Sequence, residues 1–133
     1  MLGIVLVAHN DFAESIKRVA EHVVGALPDV VCISVLPEDD IDSKRKEIQK
    51  AIRKVNNKEG VVLLTDMFGG TPSNLAISLM EEGKIEVVSG MNVPMLVKLL
   101  RVRKKPLKEA IEMAAESAKN YIVIASDLLE KRK

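Results

Sequence analysis

Apolar residues fall along this chain in short runs separated by amphipathic stretches. Residues 2–8 form an unbroken, β-branched-rich run, the pattern of a strand covered on both faces. Similar runs at 30–36, 60–65, Ile85–Ser89 and 121–124 predict four further strands, the last one short. After the first run, Asp11 and Glu14 have capping-box spacing, and Ile16, Val19, Ala20, Val23 and Leu27 recur at helical intervals up to Gly25 and Pro28. A charged helix over 42–56 carries a narrow stripe of Ile48, Ile52 and Val55. Thr71 followed by Pro72 predicts a helix start, with the helix running to about residue 80. Pro94 opens a short helix to about Arg101, and Pro106 opens another with Leu107, Ala110, Ile111, Ala114, Ala115 and Ala118 on one face. Strict alternation of strand and helix predicts an α/β fold, a three-layer sandwich with a mostly parallel sheet between helices.

Composition narrows the function classes. With 133 residues and no Pro/Gly/Ser-rich linker or repeat, the chain reads as one domain over 1–133. A net charge of +1 and an aromatic fraction of 2% argue against nucleic acid as a partner, since neither a basic field nor a stacking platform is available. The single cysteine, Cys32, excludes an internal disulfide and a cysteine-rich zinc site; inside a predicted strand it reads as a core residue in a reducing, cytoplasmic setting. No metal or cofactor is indicated, and the opening apolar run is too short to span a bilayer. His22 reads as solvated, and Arg101, Arg103, Lys104 and Lys105 as the solvated end of a helix, with docking to an acidic partner as the alternative.

In open parallel sheets, ligands collect at the carboxyl ends of the strands where strand order reverses. His9 directly follows the first run, and Asp66 holds the matching position after the third. If those strands are neighbours, the carboxylate fixes the imidazole tautomer and leaves the other ring nitrogen as a directed nucleophile. Gly69, Gly70, Thr71 and Ser73 then offer backbone N–H groups and hydroxyls at a helix start, a receptor for a phosphoryl group. Neither a Walker loop nor a Gly-x-Gly-x-x-Gly fingerprint occurs, so no nucleotide site is indicated. Phe12, Met67 and Phe68 flank these residues; the two aromatics either pack in the core or, with Met67, form an apolar rim for a docking partner. A receiver-like alternative, with Asp66 itself as the phosphorylated group, lacks a lysine after the last predicted strand, where Ser126 and Asp127 stand.

The segments Gly3-Ile4-Val5-Leu6-Val7-Ala8-His9, Asp66-Met67-Phe68-Gly69-Gly70-Thr71-Pro72-Ser73-Asn74 and Gly90-Met91-Asn92-Val93-Pro94-Met95 together resemble the IIA domain of the mannose family of the bacterial phosphoenolpyruvate-dependent sugar phosphotransferase system. The resemblance implies a phosphocarrier that takes a phosphoryl group from phospho-HPr onto His9, next to Asp66 as hydrogen-bonding carboxylate and Thr71 as pocket hydroxyl. It implies transfer onward to a IIB domain, here expected on a separate chain, and indirect service to membrane subunits. A regulatory phosphoprotein of the same fold is the alternative. The family also implies a homodimer that exchanges a C-terminal strand, which 121–124 is expected to supply. The chain departs from the family pattern at Asn10, where glycine is usual; Asn tolerates left-handed backbone, but its side chain crowds the expected pocket.

Overall fold

The computed structural model describes residues 1–131; Arg132 and Lys133, the end of the basic tail, lie outside them. The elements run β1 (Gly3–His9), α1 (Phe12–Val24), β2 (Val30–Val35), α2 (Ile41–Val55), β3 (Val61–Thr65), α3 (Thr71–Ile77), β4 (Ile85–Ser89), α4 (Val93–Val102), α5 (Leu107–Asn120) and α6 (Ala125–Lys131). The four strands are all parallel in the order β2-β1-β3-β4. The chain therefore leaves β1 toward one edge and crosses back over it to reach β3, so strand order reverses between β1 and β3.

Period-2 alternation in the central strands sorts side chains into two cores. Ile4, Leu6, Ala8, Val62 and Leu64 pack with Ala13 and Ile16 of α1, Met95 and Leu99 of α4, and Ala110 and Ala114 of α5. Val5, Val7, Val61 and Leu63 pack on the other face with Ile48, Ile52 and Val55 of α2 and Leu75 and Ala76 of α3. Three layers follow. The sheet approaches α2 so closely at its start that a Cβ on Gly3 would collide with the Val55 carbonyl. Cys32 is half-buried, and burial, followed by Glu14, raises its thiol pKa to about 11.

Two expectations are corrected. Arg103 is not part of a solvated helix end: it is buried, with 5% of its surface exposed. Its Nε and Nη2 donate to the Leu2 carbonyl at 3.0 and 2.8 Å, Nη1 to Pro28 at 2.7 Å, and Nη2 also to Asp29 at 3.2 Å. A guanidinium carries five N–H donors in a rigid fork, which suits it to carbonyls arriving from two loops. The second correction concerns 121–124, which form no strand in this chain. Tyr121 and Ile122 close the end of α5 through N–H bonds to Ser117 and Lys119, and α6, absent from the sequence reading, follows. A strand exists only through pairing, and this segment does not return to the sheet edge. Its side chains are 59–76% exposed.

Helix starts also differ in detail. Asp11 makes no side-chain cap, and Gly70 rather than Thr71 occupies the cap position of α3. Asp40 caps α2 by accepting from Ser43 N at 2.9 Å, and Asn92 caps α4 by accepting from Met95 N at 2.9 Å while donating to the Ala118 carbonyl at 3.2 Å.

Candidate functional site

His9 ends β1 and Asp66 follows β3, so the reversal of strand order sets them side by side. Register aligns Val7 with Thr65, one residue short of Asp66 and two short of His9. Asp66 Oδ2 accepts the His9 backbone N–H at 3.0 Å and lies 2.8 Å from His9 Nδ1, while Oδ1 accepts the Met67 N–H at 3.0 Å. Partial burial tends to raise the Asp66 pKa, but the His9 N–H, the His9 ring and the Met67 N–H outweigh it and hold the carboxyl below its ordinary value. An anionic carboxylate can only accept, so Nδ1 carries the ring proton and Nε2 presents its lone pair. The His9 side chain remains 44% exposed.

The loop after β3 is shaped around that ring. A Cβ on Gly70 would stand 2.8 Å from His9 Cε1 and 3.2 Å from Nε2, so only glycine leaves the ring its place. Gly69 has φ of 93°, a left-handed conformation that glycine adopts without steric cost. Because Gly70 is the cap, Thr71 sits inside the first turn with its side chain exposed, and it lines a cleft of about 340 Å³ with His9, Asn10, Val35, Leu36, Pro37, Asp39 and Ile41.

Ser73 departs from expectation. It is fully buried, with its hydroxyl 3.4 Å from that of Ser89, which in turn accepts from Thr65 Oγ1 at 2.7 Å. The Ser73 side chain thus ties α3 to β3 and β4 beneath the site and does not reach the cleft. Gly90 and Met91 donate to the Thr65 carbonyl at 3.1 and 3.0 Å, so the Gly90–Pro94 segment also acts as support. Of the flanking apolar residues, Phe12 is 39%, Met67 55% and Phe68 76% exposed, which decides against core packing for both aromatics. Leu36 and Ile41, exposed on the opposite wall, were missed by the sequence reading; each looks like an ordinary strand-end or helix-start residue until β2 is placed beside β1.

Fold and site together define an open parallel α/β protein with a histidine–aspartate pair at its switch point. Residues 3–125 match the PTS system fructose IIA component family (EIIA-man), and the chain belongs to that family. It is therefore a IIA component with a phosphocarrier role in a sugar phosphotransferase system. The chain is 24% identical to the PTS system fructose-specific EIIA component of Bacillus subtilis (strain 168), covering 100% of this chain and 92% of that protein. It is 28% identical to the PTS system mannose-specific EIIAB component of Escherichia coli (strain K12) over 91% of this chain and 38% of that longer protein. The crystal structure of the phosphotransferase system component EIIA from Streptococcus agalactiae superposes with a TM-score of 0.86 at 27% identity, covering 96% of this chain and 99% of that one. Among the described residues, no helix is long and apolar enough to cross a membrane.

Proposed function

We propose that the protein accepts a phosphoryl group from phospho-HPr on Nε2 of His9 and passes it to a IIB domain, in the cytoplasm, during sugar uptake. The observation that carries this reading is the double engagement of His9 by Asp66 Oδ2, through both backbone N–H and Nδ1. It holds the ring against rotation and leaves one nitrogen free for attack. The Nε2 lone pair forms a bond to phosphorus as the donor's P–N bond breaks, and the released electron pair returns to the donor's ring nitrogen. The Nδ1 proton stays in place, and the positive charge developing on the His9 ring is stabilised by Asp66. Gly69 and Gly70 keep the approach open, and Thr71 contributes a hydroxyl to the phosphoryl oxygens. Phe12, Met67 and Phe68, with Leu36 and Ile41, form the apolar rim against which donor and acceptor dock. Phosphorylation of Asp66 itself is disfavoured by its hydrogen bonding, since both oxygens are already engaged.

The protein acts as a homodimer in this reading. Tyr121, Ile122, Val123 and Ile124 are exposed together with Leu128 and Leu129, while every residue of the edge strand β4 is only half-buried. A strand donated to a second copy's sheet removes both liabilities at once. Incubation with phosphoenolpyruvate, enzyme I and HPr should label the protein on one acid-labile, base-stable residue, and His9→Ala should abolish the label. Label that persists in His9→Ala overturns the assignment. Light scattering should find a dimer at micromolar concentration; a monomer there ends the exchange proposal.

A further inference from the structure

The cleft beside His9 has a composition that a phosphoryl site does not ordinarily have. None of its eight lining residues is Lys or Arg, and Asp39 adds a carboxylate to the far wall. That carboxylate is partly engaged, accepting the Leu36 N–H at 2.8 Å and lying 3.4 Å from Lys44 Nζ. The incoming group carries close to two negative charges, and with no Lys or Arg among the lining residues its oxygens are left to neutral donors. Apart from His9, Asn10 is the only lining residue whose side chain carries N–H donors. Among the described residues that carboxamide makes no hydrogen bond, whereas the Asn10 backbone N–H is pinned to the Val35 carbonyl at 3.0 Å.

Asn10 also has φ of 50°, a left-handed conformation in which glycine is the residue without steric penalty. Asn is one of the few side-chain-bearing residues that tolerate this backbone, so the position keeps an exposed carboxamide next to the nucleophile without a protein partner to hold it elsewhere. We infer that Asn10 is a phosphoryl-binding residue. Its carboxamide donates to a phosphoryl oxygen on His9 Nε2, supplying without added charge the contact that a cation would otherwise make. It thereby prolongs the life of phosphohistidine against water. The inference rests on His9 being the acceptor, as proposed above.

The test uses the full chain with phosphoramidate, a small donor that needs no docking surface. The decay of phosphohistidine is followed by ³¹P NMR in wild type, Asn10→Gly and Asn10→Asp. Asn10→Gly removes the donor and relieves the backbone, so its thermal stability should equal or exceed wild type while its phosphohistidine decays about tenfold faster. Asn10→Asp keeps the side chain's shape and its tolerance of left-handed backbone but sets a carboxylate against the phosphoryl group, so decay should be faster still. A lifetime in Asn10→Gly within twofold of wild type overturns the inference. Wild-type protein that gains no phosphohistidine at residue 9 from either phosphoramidate or phospho-HPr overturns the phosphocarrier assignment, and this inference with it.

Discussion

The two ends of the parallel sheet solve opposite problems. At the amino end, Leu2 and Gly3 are buried, and three carbonyl groups from two loops converge on the guanidinium of Arg103. At the carboxyl end, Met67 and Phe68 stand in solvent, and a reactive ring is left with one nitrogen unbonded. One end satisfies its polar groups internally; the other leaves them available. Parallel strands align their peptide groups in one direction, so every strand's exit loop meets the others at one edge, where exposure costs the core nothing. Binding residues can vary there while the opposite edge holds the register.

The largest expected effect lies at the amino end. Arg103→Met should strand the Leu2, Pro28 and Asp29 carbonyls and cost about 3 kcal/mol of folding free energy, read by urea unfolding. Arg103→Lys should recover little of this, because an ammonium lacks the fork that spans two loops. If the comparison holds, the folded fraction of either variant still accepts phosphate at the wild-type rate. A slowed rate in folded protein would mean the two ends are coupled.

At the carboxyl end the balance reverses. Gly70→Ala has allowed backbone angles at φ −92°, ψ 173°, so folding should change little. Its methyl group would nevertheless push the His9 ring from its bond with Asp66, and phosphorylation should slow about a hundredfold in a stopped-flow or quenched labelling assay. Unchanged labelling would show that the loop yields, contrary to the tight fit described here.

A smaller effect sharpens the comparison through pH. The Asp66 carboxyl sits below its ordinary value in the folded protein, so it binds a proton more weakly there than in the unfolded chain. Its stabilisation is complete above the unfolded value of about 3.9 and is lost as pH falls through the lower folded value. Asp66→Asn should therefore fold well, show a shallower acid limb in its stability profile, and transfer phosphate about tenfold more slowly for want of the charge that orients the ring. An acid limb unchanged from wild type would assign that part of the profile to other carboxylates.

Much of this molecule was legible in one dimension. Unbroken apolar runs named β1 and β3 as doubly covered strands, because a parallel sheet leaves no polar face for alternation. The turn chemistry of Gly69, Gly70 and Pro72 marked the loop after β3, and His9 and Asp66 were legible as residues directly after apolar runs. What the chain alone left open depends on neighbours distant in sequence. Only the order β2-β1-β3-β4 brings His9 against Asp66 and opens the wall of Leu36, Asp39 and Ile41. Only packing distinguishes Ser73, turned inward onto Ser89, from Thr71, turned outward, although the two hydroxyls are two residues apart. Arg103 has the same local surroundings as Lys104, and the difference between them lies in carbonyls contributed by residues 2, 28 and 29. Residues 121–124 mark the same boundary: their composition suits a strand, but a strand also needs an edge to pair with, and this chain does not bring that segment to one. Hydrophobic period is a property of consecutive residues and survives without a fold, whereas pairing, register and burial of a charge are relations between segments and come into being only when the chain closes on itself.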